Sequence, residues 1–147
     1  MSKTTAPAIA VALPLEEQYD AIADTMATVL HLENRRMPET AKQWFVAAEQ
    51  GIKQLGISAM TLAEIGYLSE KKRISLTVEQ VLTYVRQHDR IQIVPISAVV
   101  VEQTFRIHDI PELHDRLIAA TAACRAVPVI TNDPHITASQ FVRAEWA

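Results

Sequence analysis

The sequence is short of several things, and each shortage excludes something. Of its 147 residues only three are glycine, and no glycine-rich phosphate-cradling loop is present. Cys124 is the single cysteine, so no internal disulfide can form. Its neighbours Ala122, Ala123 and Ala126 mark it as a small, buried, inert helix residue. That usage fits a reducing, cytoplasmic setting. No apolar run approaches the ~20 residues of a membrane span. The apolar stretch from Ala8 to Leu15 follows Pro7, is broken by Pro14 and lacks a basic start, which makes it a poor signal peptide. Positive charge is not in excess either. The formal net charge is -3, which argues against coating nucleic acid through bulk charge but leaves local contact open.

What the chain does contain is apolar aliphatic residue. Hydrophobic residues make up 49% of it, enough for one packed domain of ordinary size. Residues 1–18 carry no periodic signal and read as a tail or extra segment, with a single domain over 19–147. Tyr19 to Asp24 reads as a short strand, followed by a helix from Thr25 with Met26, Val29 and Leu30 on one face and Arg35 and Arg36 near its end. Pro38 suits the first turn of a second helix with the stripe Ala41, Trp44, Phe45, Ala48 and Ile52.

Leu55 to Ser58 is a second strand, and Ala59 to Leu68 a helix. Thr77 and Gln80 have capping-box spacing ahead of Val78, Val81, Leu82 and Val85. Ile91 to Val94 alternates as a strand should. Ser97 can cap a helix running to about Ile107, with Val100, Val101, Thr104 and Phe105 as its expected inner face. A helix is expected from Asp115 to Ala126, a buried strand from Val127 to Thr131, a turn at Asn132-Asp133-Pro134, and a closing edge strand within Phe141 to Trp146. Alternation of strand and helix predicts an α/β fold with helices on both faces of a mainly parallel sheet. Ligands of such folds bind beyond the carboxyl ends of the strands.

Acids recur at that rim. Asp24 and Asp133 follow strands, Glu64 sits early in a helix, and Asp115 opens one. Each has an ordinary local reading. Asp24 can cap the following helix, Thr61 and Glu64 have capping-box spacing, Asp115 suits a helix amino end, and Asp133 can shape the turn before Pro134. Together they form a candidate carboxylate cup. Hard divalent cations prefer carboxylate oxygen, and clustered acids without a cation repel one another. His108, His114 and His135 lack a ligand spacing, so metal ligation by them is not expected. The basic residues Arg35, Arg36, Lys71, Lys72 and Arg73 read first as solvated helix ends and second as contacts to a phosphate backbone.

The blocks Ile22-Ala23-Asp24-Thr25, Ser58 to Ile65, Asp115 to Ala122 and Val129 to Asp133 resemble, in order and spacing, those of PIN-domain ribonucleases. The resemblance is nearest to VapC toxins of bacterial toxin–antitoxin pairs, and it runs from about Tyr19 to the end. The segment from Ile136 to Trp146 also resembles the family's closing stretch. Met26 departs from the pattern, standing where members often carry a polar residue.

The resemblance implies a PIN-like three-layer α/β/α domain and a Mg²⁺- or Mn²⁺-dependent endoribonuclease. It implies Asp24 and Asp115 as direct metal ligands, with Glu64 and Asp133 binding directly or through water. It also implies a homodimer or a hetero-oligomer with a small antitoxin; the lack of a long apolar run leaves no membrane partner expected. Thr25, Thr131 and Arg116 are candidate substrate contacts, the threonine hydroxyls donating to carboxylates or to phosphate; backbone capping for the threonines and a surface ion pair for Arg116 are the competing readings. A catalytically silent PIN-like module that binds RNA or protein is the alternative function.

Overall fold

The computed structural model describes residues 18–147; the expected amino-terminal tail falls almost wholly outside them. Five strands form one sheet: β1 (Ala21–Ala23), β2 (Leu55–Ser58), β3 (Ile91–Val94), β4 (Val129–Ile130) and β5 (Ala144–Glu145). Their order is β3-β2-β1-β4-β5 and every pairing is parallel. Helices α1 (Thr25–Leu32) and α2 (Glu39–Glu49) join β1 to β2, and α3 (Ala59–Glu70) and α4 (Val78–Gln87) join β2 to β3. Helices α5 (Ala98–Thr104) and α6 (Leu113–Ala123) lead to β4, and α7 (Pro134–Ala138) leads to β5.

Strand alternation divides the core in two. Ala21 and Ala23 of β1 pack on one face with Phe45, Ile57, Ile65 and Val81, while Ile22 between them points to the other, with Val94, Ile118 and Val129. The three-layer α/β/α arrangement follows, because a parallel sheet buried on both faces needs helices on both. Gly56 lies opposite Ile22 in the β1–β2 register. A Cβ there would stand 2.7 Å from both Ile22 Cδ1 and Val94 Cγ2, so any side chain would force these neighbours to shift.

Helix starts are set by short polar side chains. Ser58 caps α3 by accepting from the Met60 N–H, and Thr77 and Gln80 complete the expected capping box of α4. Because α3 starts at Ala59 with Ser58 as its cap, Thr61 and Glu64 lie inside the helix and do not form a capping box there.

Several boundaries differ from expectation. Helix α5 ends at Thr104, and Val101 and Phe105 face solvent with 40% and 66% exposure, since the apolar stripe of α5 is used only through Val100 and Thr104. Ile52 lies past the end of α2 and is exposed. Helix α6 starts two residues before Asp115 and ends at Ala123, with half-buried Cys124 as its carboxyl cap. The strand expected over Val127 to Thr131 shortens to Val129–Ile130, and α7 forms where only a turn was expected.

Candidate active site

The strand order reverses about β1: β2 and β3 lie to one side, β4 and β5 to the other. The carboxyl ends of β1 and β4 therefore open a crevice between connections that diverge. Asp24 is the residue after β1, and Asp133 lies three residues after β4. A cleft of roughly 450 Å³ opens there, and Asp24, Glu64, Asp115 and Asp133 all line it. The loop after α5 returns the chain to this rim, which brings Asp115 in on the first turn of α6.

The local reading and the site reading of these acids both hold, because a carboxylate has two oxygens. Asp24 Oδ1 caps α1, accepting from the Ala27 N–H at 2.8 Å. Asp133 Oδ1 caps α7, accepting from the N–H groups of His135 at 2.8 Å and Ile136 at 3.2 Å. In neither aspartate does the cap use the second oxygen. Glu64 is divided in the same way. Its Oε1 accepts a 2.6 Å bond from the Thr25 hydroxyl, and its Oε2 lies 3.4 Å from His114 Nε2.

The two threonines act on the acids. The buried Thr131 side chain is hydrogen-bonded to the Asp24 carboxylate, and its Oγ1 accepts from the Asp133 N–H at 3.0 Å. Thr25 fixes Glu64. Of the two expected roles for these hydroxyls, bonding to carboxylate is the one seen, and Thr25 also lines the cleft. Arg116 is not among the lining residues. Its guanidinium sits 5.7 Å from the Phe105 ring centroid, one helical position round from Asp115, so it points away from the acids.

Crowding and burial show in the protonation of the site. Burial pushes the carboxyl of Asp24, 6% exposed, up to about 6, against lowering by its bonds from Thr131 and Ala27; Asp133 and Asp115 add to the rise. Burial, and then the charge of Asp133, pushes Asp115 up to about 6 as well, with Glu64 and Glu112 adding and His114 opposing. Carboxylates held where their charge is unfavourable are what a cation would relieve. The donor set is hard oxygen, the type that Mg²⁺ and Mn²⁺ take. The residues present therefore fit a divalent ion.

Sequence reasoning passed over Glu112 and set His114 aside for want of a ligand spacing, and both line the cleft. Glu112 and His114 join Asp115 in a group whose donor atoms lie within 4.8 Å of one another. His114 Nε2 is 2.9 Å from Glu112 Oε2 and 3.7 Å from Asp115 Oδ1. No ligand spacing signals them, because they converge through the first turn of one helix and a bond across to α3. The run Glu112-Leu113-His114-Asp115, three chelating types in four residues, was the available clue.

An all-parallel α/β/α sandwich with an acidic cleft at its topological switch point defines the class to which this chain belongs. A family model for the PIN domain matches residues 21–141, and the chain belongs to that family. Comparison with curated proteins gives no match. Among solved structures, VapBC2 from Rickettsia felis, bound to a DNA fragment from its promoter, superposes with a TM-score of 0.66 at 19% identity, covering 86% of this chain and 98% of that one. DNA-bound VapBC from Salmonella typhimurium gives 0.64 at 24% identity, with coverage of 86% and 97%. VapC20 of Mycobacterium tuberculosis, described as a sarcin–ricin loop cleaving toxin, gives 0.58 at 17% identity, with coverage of 84% and 98%. These likenesses establish the fold.

Proposed function

We propose that the protein is a metal-dependent endoribonuclease and the toxin of a toxin–antitoxin pair. The observation that carries this reading is the convergence of Asp24, Glu64, Asp115 and Asp133 on one cleft. Asp24 and Asp115 are the direct ligands of a Mg²⁺ or Mn²⁺ ion, and Glu64 and Asp133 bind it directly or through water. The ion, when bound, lowers the pKa of a water and neutralises charge building on the phosphate. The chain's own residues prepare the site. Helix caps lock Asp24 and Asp133 through one oxygen each, Thr25 holds Glu64, and Thr131 holds Asp24. Side chains fixed in this way need little reorganisation when substrate arrives.

The toxin assignment is supported by family membership and by the VapBC complexes among the structural neighbours. On this reading a small antitoxin occupies the cleft with an extended segment, and the toxin works as a homodimer or within a hetero-oligomer. Among the described residues no helix is long and apolar enough to cross a membrane.

The test is direct. Purified protein is expected to cut structured RNA when Mg²⁺ or Mn²⁺ is added and to stop in EDTA. Asp24→Asn and Asp115→Asn are each expected to abolish cutting while circular dichroism stays unchanged. Cutting that persists in both variants overturns the metal site. A folded wild-type protein that binds RNA and cuts none of it favours the silent binding module.

A further inference from the structure

We infer that His114 is a nitrogen ligand of the cation in this cleft and tilts the site toward Mn²⁺ over Mg²⁺. The inference rests on the metal-dependent reading above and assigns within it a residue outside the four-carboxylate set. Its basis is the placement of the ring. His114 Nε2 faces three carboxylates on two helices and the residue that opens one of them: Glu112 Oε2 at 2.9 Å, Glu64 Oε2 at 3.4 Å and Asp115 Oδ1 at 3.7 Å. Neighbouring donors in an octahedral shell with bonds of ~2.1 Å are about 3.0 Å apart, and opposite donors about 4.2 Å. The donor atoms of Glu112, His114 and Asp115 all lie within 4.8 Å of one another, so one ion can take these three with small shifts, and Glu64 Oε2 flanks the ring at 3.4 Å.

The surroundings account for how the donors meet. Glu112 is the cap residue of α6, yet its side chain makes no capping bond and is turned toward His114 instead. Glutamate is a poor cap in any case, because its longer stem does not reach the free N–H groups as aspartate does. Glu64 has its other oxygen tied to the Thr25 hydroxyl at 2.6 Å, which leaves Oε2 directed at the ring. The imidazole thus sits between the anchored Glu64 oxygen and the exposed Glu112 carboxylate. Mg²⁺ takes oxygen ligands and keeps its waters, whereas imidazole suits first-row transition ions. One nitrogen in an otherwise all-oxygen shell therefore lowers the relative affinity for Mg²⁺.

The experiment measures metal binding, not cleavage. Mn²⁺ is titrated into the full-length protein and its free signal followed by electron paramagnetic resonance, with Mg²⁺ as competitor, for wild type, His114→Ala and His114→Gln. The glutamine amide can offer oxygen in place of nitrogen, and the side chain of His114 is 38% exposed, so both variants are expected to fold. In wild type, spin-echo spectra of the Mn²⁺-loaded protein are expected to show coupling to a directly bound imidazole nitrogen, and both variants lose it. The preference for Mn²⁺ over Mg²⁺ is expected to fall roughly tenfold or more in each variant, the scale on which the ligand environment changes metal affinity. Absence of nitrogen coupling in wild type, or a preference unchanged in both variants, overturns the inference. So does an equal gain in affinity for both ions on His114→Ala, which would make the ring a counter-cation that the metal displaces. Failure of wild type to bind either ion removes the metal-dependent reading itself, whereas Mn²⁺ binding without nitrogen coupling removes only the role of His114.

Discussion

At the residue scale, the two jobs of Asp24 can be separated by substitution. Its Oδ1 caps α1 through the Ala27 N–H, and its carboxylate also lines the cleft. Serine is as good a cap as aspartate but carries no charge. Asp24→Ser is therefore expected to keep the fold, and with a buried acid of raised pKa removed its melting temperature should not fall. Cleavage should drop at least about a hundredfold, since the electrostatic contribution of a bound ion is several kcal/mol and each 1.4 kcal/mol is about tenfold in rate. Thermal melts and RNA cleavage on one preparation check both halves. A stable, fully active Asp24→Ser would leave Asp24 with capping alone. This duality is also why single residues were hard to read from sequence. The spacing of Asp133 before Pro134 does signal a helix start or turn, and the structure confirms that role for one oxygen only. The site became legible from four acids taken together. His114 was set aside because its contact with Glu64 crosses from α6 to α3, which no one-dimensional spacing records.

At the element scale, the long amphipathic segments and polar caps were legible, and the edges were not. The α4 capping box and the strands Leu55–Ser58 and Ile91–Val94 follow from local pattern alone. The outward turn of Phe105 does not, because whether an apolar helix face is covered depends on what the rest of the chain places against it. Gly56 tests how tightly β2 packs. The ideal Cβ position meets two buried side chains at 2.7 Å and Tyr19 Cδ1 at 3.2 Å. Gly56→Ala is expected to destabilise by about 1–3 kcal/mol through overpacking, read as a lower midpoint in urea. Between α1, α2 and α4 a second cluster holds Glu49. Its Oε2 receives the Tyr84 hydroxyl at 2.6 Å and faces His31 Nε2 at 2.7 Å, and His31 stacks on Phe45 at 4.4 Å between centroids. Burial pushes Glu49 up, but these bonds outweigh it and hold the carboxyl below its ordinary value. Tyr84→Phe removes the strongest of them, at an expected cost of about 1–2 kcal/mol at pH 7. A carboxyl with a lowered folded pKa stabilises above its ordinary value of 4.5 and loses that contribution as pH falls. The difference between wild type and Tyr84→Phe should therefore shrink on acidification through that region, and a difference constant down to pH 3 would assign the effect to packing.

At the scale of the whole molecule, the acids of the cleft link folding, protons and metal. Asp24 and Asp115 carry folded pKa values of about 6 against an ordinary 3.8. Between those values the folded chain holds protons that the unfolded chain has released. Stability from these two groups is thus fully present below about pH 4 and is lost as pH rises through about 6. Metal-free protein at neutral pH carries both charges in an environment that disfavours them, and on the proposed reading a bound divalent cation reverses that disadvantage. Below about pH 6 the ion must instead displace a proton from each aspartate, so its affinity should fall by up to about a hundredfold per pH unit, or roughly 2.7 kcal/mol. The measurement is the rise in melting temperature caused by a fixed Mn²⁺ concentration, set against EDTA-treated protein, from pH 5 to pH 8. The rise should be small at pH 5 and should grow to a plateau above pH 7. Taking the difference between the two samples at each pH cancels every titration that the ion does not touch, including that of Glu49. In Asp24→Asn the neutral amide has no proton to lose, so the residual metal effect should follow Asp115 alone, with half the pH slope. A rise of equal size at every pH would mean that the ion binds groups already ionised at pH 5, and would remove Asp24 and Asp115 as its ligands.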